Sequence, residues 1–301
     1  MNIAPIVLFC YKRTDTLIRC VTSLQKCIES KETDLIIISD WAATDLDVEK
    51  VISVRQYLST ISGFKSIEII ERVTNLGIDY GIRDGIRLMS ERFSKFIIVE
   101  DDVVVSSNFL NFLNTSLNVY ENNADILTVT AFSYVNKIPK NYPYDIYFAK
   151  RTCPWGWATW SDKINKVDWE IKDKEDFLQS KILKKEFNKW GSDRSRMLIK
   201  TLQGKVKTWD IRLDYHQFKY DSCSIYPINN LVENIGFGSN DGSNTFGYNR
   251  FKTELKQDSN VKYNLPNSIV YDKYISKKFI EKNSVAQRIF TRLMKLINIQ
   301  N

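Results

Sequence analysis

The chain has 301 residues, 43% hydrophobic and 26% charged, with a net charge of +7. Its 13% aromatic content supports a sizeable core and excludes a disordered chain. No apolar run approaches the roughly 18 residues of a membrane-spanning helix, and five cysteines without a CxxC pair argue against a disulfide framework or structural zinc.

In chain order, residues 3–10 (IAPIVLFC) form a continuous apolar run, the pattern of a buried parallel strand. Lys12 and Arg13 follow this run instead of preceding it, so it does not read as a secretory signal, and the cytoplasm is the expected compartment. Asp15 is placed to cap a helix with Leu17, Ile18, Val21, Leu24 and Ile28 on one face. Residues 35–39 (LIIIS) read as a second buried strand, 48–59 as a helix and 67–71 (IEIIE) as a third strand. A helix over 79–93 precedes a strand at 96–99 (FIIV), a helix over 107–121 and a strand at 126–131. Strands alternating with helices predict an open α/β sheet.

The second half changes character. Aromatic residues crowd 142–160, and helices are predicted over 174–190 and 193–203. Residues 234–249 (NIGFGSNDGSNTFGYN) read as a loop. Over 284–299, Val285, Ile289, Leu293 and Leu296 recur at helical spacing, with Arg288, Arg292 and Lys295 alongside. The positive charge is concentrated: residues 181–219 hold eleven Lys and Arg against four acids, and 277–301 hold six against one. Such patches attract polyanions. The first lacks a recognisable nucleic-acid module, so no nucleic-acid partner is expected. The second suits peripheral contact with an anionic membrane.

The segment FIIVEDDVVV (96–105) is the most informative chemically. Three carboxylates follow an apolar strand, at the strand end where open α/β sheets bind ligands. Clustered carboxylates repel unless a cation shares the site. A divalent metal carrying diphosphate oxygens would serve, since Mg and Mn take oxygen ligands from one or two carboxylates plus phosphates.

Nine segments, in order, resemble GT-A fold glycosyltransferases: bacterial family-2-like sugar transferases related to the N-acetylglucosaminyltransferase I group. They are YKR (11–13), ISDWA (38–42), VEKVISVRQYL (48–58), RVTNLGI (72–78), IVEDDVVVSSNFLNF (98–112), RTCPWGWATW (151–160), DRSRML (193–198), TWDIR (208–212) and IYPINNLVENIGF (225–237). The resemblance implies roles position by position. Arg13 would contact the donor diphosphate, for which a fixed fork of donors is suited. Asp40 would face the base or ribose, and Asn75 and Gly77 would form a turn beside the sugar nucleotide. Glu100, Asp101 and Asp102 would stand for the DxD motif, with Asp102 on the metal and Asp101 on the ribose or donor sugar. Trp155, Gly156 and Trp157 would wall the acceptor site. Asp193 is the first candidate for the base and Asp210 the second, while Arg212 would hold phosphate or orient a carboxylate.

One position departs from the pattern. Related sequences often place a histidine where this chain has Phe246, and a phenylalanine binds no metal. That bears on the divalent Mn or Mg expected at Asp102. The lone histidine, His216, reads as structural.

The expected fold is therefore α/β: a GT-A, Rossmann-like, mostly parallel open sheet flanked by helices. Residues 1–135 would bind the nucleotide sugar, 136–270 would form the acceptor and catalytic half of the same domain, and 271–301 a basic helical tail. The expected reaction moves a sugar from a nucleotide-diphosphate sugar to a hydroxyl of a saccharide or lipid-linked glycan, with inversion, in surface polysaccharide biosynthesis at the cytoplasmic face of a membrane. The alternatives are a non-catalytic carbohydrate- or nucleotide-binding relative and a nucleic-acid-binding protein. A nucleotidyltransferase of the same fold would want a Gly-rich loop after the first strand, and YKRTD has no glycine.

Overall fold

A computed structural model describes residues 3–135, 137–236, 251, 255 and 262–298. Strand β1 (Ile6–Cys10) is buried at all five positions, which only an interior strand allows. Helix α1 (Thr14–Gln25) then covers the sheet with Leu17, Cys20, Val21 and Leu24. Asp15 lies in its first turn and is not the cap, because the helix already begins at Thr14 behind Arg13. Ile18 and Ile28 are exposed, so the buried face is narrower than the spacing suggests.

Strand β2 (Asp34–Ser39), helix α2 (Val48–Leu58), strand β3 (Ser66–Glu71), helix α3 (Gly77–Ser90) and strand β4 (Lys95–Glu100) continue the alternation. β1 pairs in parallel with β2 and with β4, and β2 pairs in parallel with β3. Helical crossovers between parallel strands bring their carboxyl ends to one edge. After a turn at Asp101 and Asp102 come strand β5 (Val103–Val105), helix α4 (Phe109–Val119), and strands β6 (Ile126–Thr130), β7 (Ile146–Ala149) and β8 (Trp157–Trp160). Helices α5 (Ser161–Ile164), α6 (Lys174–Gln179), α7 (Lys181–Phe187), α8 (Arg194–Leu202) and α9 (Asp210–Lys219) precede strands β9 (Cys223–Pro227) and β10 (Val232–Asn234). Helices α10 (Lys273–Lys282) and α11 (Val285–Asn298) follow.

Eight strands form one sheet in the order β3-β2-β1-β4-β8-β6-β9-β7. Four of the seven neighbouring pairs are parallel; β8 runs antiparallel to β4 and β6, and β7 antiparallel to β9. β5 and β10 form a separate antiparallel pair. The chain is thus an α/β protein with a mostly parallel sheet flanked by helices, and that sheet runs unbroken through both halves.

Two local differences have plain causes. The helix expected over 174–190 is broken at Ser180, whose extended backbone and Oγ, accepting from the Leu183 N–H at 3.1 Å, start α7 afresh. The aromatic crowding of the second half is core: Tyr147, Phe148, Trp157, Trp160 and Tyr226 all lie buried on sheet strands. The first of the two tail helices is anchored. α10 buries Ile275 and Phe279, and the carbonyl of Asn283 accepts from the Ser192 N–H at 3.0 Å and Oγ at 2.9 Å. Among the described residues no helix is long and apolar enough to cross a membrane.

Candidate functional site

The parallel strands β1, β2 and β4 end together, and the loops beyond them enclose a cleft of 390 Å³. Register explains which residues meet there. Cys10 lies opposite Ser39, and Phe9 opposite Glu100, so the segments beginning at Tyr11, Asp40 and Asp101 emerge side by side. The lining includes Arg13, Asp40, Asn75, Gly77, Glu100 and Asp101, the full set expected to face a donor.

Arg13 sits against the acid run. Its guanidinium binds Asp101 and stands 3.0 Å from Asp102 Oδ2. The Tyr11 N–H donates to Asp101 at 3.4 Å. From β10, Asn234 Nδ2 donates to Asp102 Oδ1 at 3.2 Å, and the Ile235 N–H donates to the Asp102 carbonyl at 2.8 Å. A Cβ on Gly236 would overlap Asp102 Oδ2 and stand 3.0 Å from Arg13 Nη1. Only glycine lets the chain close over this carboxylate. Asn234 and Gly236 lie inside a segment singled out from sequence, but no spacing signal joins them to Asp102, 132 and 134 residues away by number.

One guanidinium among three carboxylates leaves negative charge uncompensated. Burial holds Glu100 well above the usual carboxylate range, and the charges of Asp102, Asp101 and Asp210 act in the same direction against Arg13. Burial likewise raises Asp101, with Arg13 opposing.

The opposite wall is built by Asp40. Its carboxylate accepts from the N–H groups of Leu76 and Gly77, each at 3.0 Å, and so holds the entrance of α3. Gly77 has φ +69°, a left-handed conformation that favours glycine. Asn75 Nδ2 donates to the Trp41 carbonyl at 2.6 Å. These residues shape the cleft, and Asp40 has a scaffolding task that the sequence does not suggest. Three further lining residues were not singled out individually. Arg72 donates to the Gly81 carbonyl and to Asp84, both at 2.8 Å. Tyr11 and Lys12 are tied to Asp47 at 2.9 and 2.7 Å. Their signal was membership of the YKR and RVTNLGI segments.

Several residues expected on the acceptor side have structural tasks in the fold. Trp157 is 0% exposed and stacks on Trp209 with ring centroids 5.2 Å apart. Gly156 is buried at φ +62°, where a Cβ would stand 2.8 Å from the Phe109 ring. β8 (Trp157–Trp160) is inserted between β4 and β6, and both residues pack into the core. Trp155 remains half-buried, edge-on to Phe132 at 4.9 Å. Asp193 precedes α8 with both oxygens gripped by Arg151, at 2.9 and 3.0 Å. A carboxylate clamped this way is a poor proton acceptor. Asp210 opens α9, accepts from Thr208 Oγ1, and is near enough to act on Glu100. Arg212, 8% exposed, donates to Asp79 Oδ1 at 3.0 Å and to the Thr208 carbonyl at 2.7 Å. It therefore ties α9 to the first turn of α3. Phe246 lies outside the described residues.

His216 is 9% exposed and packs on Tyr220 at 4.5 Å, away from the cleft. Burial pushes it down to about 4, Lys219 and Lys166 add to this, and Asp168 opposes. A histidine depressed in the folded state leaves the unfolded chain binding more protons at mildly acid pH. Its stability contribution is present above about pH 6.5 and lost as pH falls towards about 4. Urea unfolding across this window should show wild type losing roughly 2–3 kcal/mol more than His216→Gln.

Among the described residues no three His, Cys, Asp or Glu side chains are grouped to hold a metal ion. The carboxylate oxygens of the acid run, in excess over the one guanidinium, are the hard donors that a divalent cation takes.

No protein-family model matches the sequence, and no curated protein matches it. Among solved structures the chain is similar to a mannosyltransferase, PcManGT from Pyrobaculum calidifontis, in complex with GDP-Man and Mn2+. Identity is 10% and the TM-score 0.39, over 56% of this chain and 49% of that one. It is also similar to S. aureus TarS, at 12% identity and TM-score 0.36, over 55% of this chain and 29% of that one. The chain thus spans half or less of the length of these structures.

Proposed function

We propose that this protein is a glycosyltransferase of the GT-A type that uses a nucleotide-diphosphate sugar. The observation that carries the reading is the cleft beyond β1, β2 and β4, where Arg13 faces Glu100 and Asp101 across from Asp40, Asn75 and Gly77. An Arg fork beside an acid run, at the carboxyl ends of parallel strands, suits a diphosphate.

Residues 1–135 supply the donor half. Arg13 binds the diphosphate and withdraws its charge from Asp101 and Asp102. A divalent Mn or Mg at Asp102 would neutralise charge on the departing diphosphate. The turn held by Asp40 positions Asn75 and the Gly77 backbone against the nucleoside or sugar. Residues 136–270 supply the acceptor half. Trp155 offers an aromatic face to the acceptor saccharide, free or lipid-linked. The acceptor hydroxyl oxygen bonds to the anomeric carbon as the carbon–oxygen bond to the diphosphate breaks. Asp210 takes the hydroxyl proton, and the nucleoside diphosphate leaves with the bonding pair. One in-line displacement of this kind inverts the anomeric centre. Assembly of a surface polysaccharide at the cytoplasmic face of a membrane is the setting that fits such an acceptor.

The test is release of nucleoside diphosphate from a panel of nucleotide sugars, with and without Mn2+, in the presence of lipid-linked and free saccharides. The reading expects release with one donor class and an acceptor-dependent increase. Absence of release with every donor and acceptor tried would favour the non-catalytic binding relative.

A further inference from the structure

The two helices following the cleft-bearing domain differ in how they are held. α10 is pinned by buried Ile275 and Phe279 and by the Ser192–Asn283 contact. On α11 three aliphatic side chains stay in water: Val285, Ile289 and Leu293 are 51%, 52% and 54% exposed. At about 100° per residue these three fall within roughly 80° of one another around the helix axis. They form one apolar strip, and Arg288 and Arg292 follow along one edge of it. On α10, exposed Ile280 borders a surface depression with Tyr271, Lys273 and Lys277. Between residues 273 and 292 six Lys and Arg stand against the single acid Glu281.

An exposed aliphatic strip calls for a partner, and the charge beside it selects which. A second copy docking strip to strip would bring two sets of these cations together. An anionic lipid surface satisfies both features at once, with acyl chains for the strip and headgroup phosphates for the cations. We propose that α11 lies in the plane of an anionic membrane surface. Val285, Ile289 and Leu293 enter the acyl boundary, Arg288, Arg292, Lys273 and Lys277 meet the headgroups, and docked α10 fixes the domain's orientation. This inference rests on the helix surface and not on the chemistry of the cleft.

The experiment is sedimentation of the full chain with phosphatidylcholine vesicles, with and without phosphatidylglycerol. Binding is expected only to the anionic vesicles, and it should fall as salt rises. Arg288→Glu with Arg292→Glu should weaken it at least about tenfold, as should Ile289→Ser with Leu293→Ser. These positions are solvent-facing or half-exposed, and an unchanged thermal midpoint in each variant shows that the fold is intact. Equal binding to neutral vesicles or no vesicle binding at all would overturn the proposal. So would a wild-type dimer in sedimentation velocity that Leu293→Ser dissociates.

Discussion

Asp210→Asn should lower turnover by about 10²–10⁴-fold, the usual contribution of a positioned general base, while leaving donor affinity within about twofold. The amide still accepts from Thr208 Oγ1, so the N-terminus of α9 keeps its local bond. It cannot take a proton, so only the chemical step suffers. Asp193→Asn is the matched comparison. It breaks the two-bond clamp from Arg151, a side chain only 12% exposed. The expected loss is therefore in stability, with turnover per folded molecule little changed. Single-turnover rates and thermal midpoints of the two variants separate the roles. Loss of the chemical step in Asp193→Asn with normal turnover in Asp210→Asn would return the base to Asp193.

The largest expected stability effect lies at Asp214, one turn further along α9. Arg194 is 2% exposed and burial pushes it down to about 10, with Asp214 opposing. Its guanidinium donates to Asp214 Oδ2 at 3.2 Å and to the carbonyls of Asp214 and Phe187 at 2.8 and 3.0 Å. The Thr152 N–H donates to the other Asp214 oxygen at 2.7 Å. Asp214→Ala strands a buried cation and a buried N–H together, and should cost about 3–5 kcal/mol. Urea unfolding measures this directly. Adding Arg194→Met to Asp214→Ala should recover part of the loss, because the stranded charge and not the missing carboxylate dominates the cost. A double variant no more stable than the single would refute this account of the pair.

The first half of the sheet was legible from sequence because its signals are local. β1, β2 and β4 are unbroken apolar runs buried on both faces, and the acids follow β4 directly. Parallel strands then bring Arg13, Asp40 and Asp101 to one edge whatever the loops do. The second half was not legible in the same way. The insertion of β8 between β4 and β6 is a long-range pairing that makes core of Gly156 and Trp157. The Arg151–Asp193 clamp joins residues 42 apart. Asn234 reaches Asp102 only because β10 pairs with β5. In each case tertiary pairing, which leaves no periodicity in the chain, decided the role.

Binding of a nucleoside diphosphate in the cleft beside Arg13 is tested by thermal unfolding of wild type and Arg13→Ala against nucleoside diphosphates and their sugars, with and without Mn2+. Wild type should be stabilised by ligands of one base class, by about 2.7 kcal/mol at 100 times the dissociation constant, and more with Mn2+. Arg13→Ala should lose most of that shift, since a charge-assisted bond of about 1.5–3 kcal/mol is removed. No shift of wild type with any nucleotide, or an equal shift in Arg13→Ala, would contradict the account.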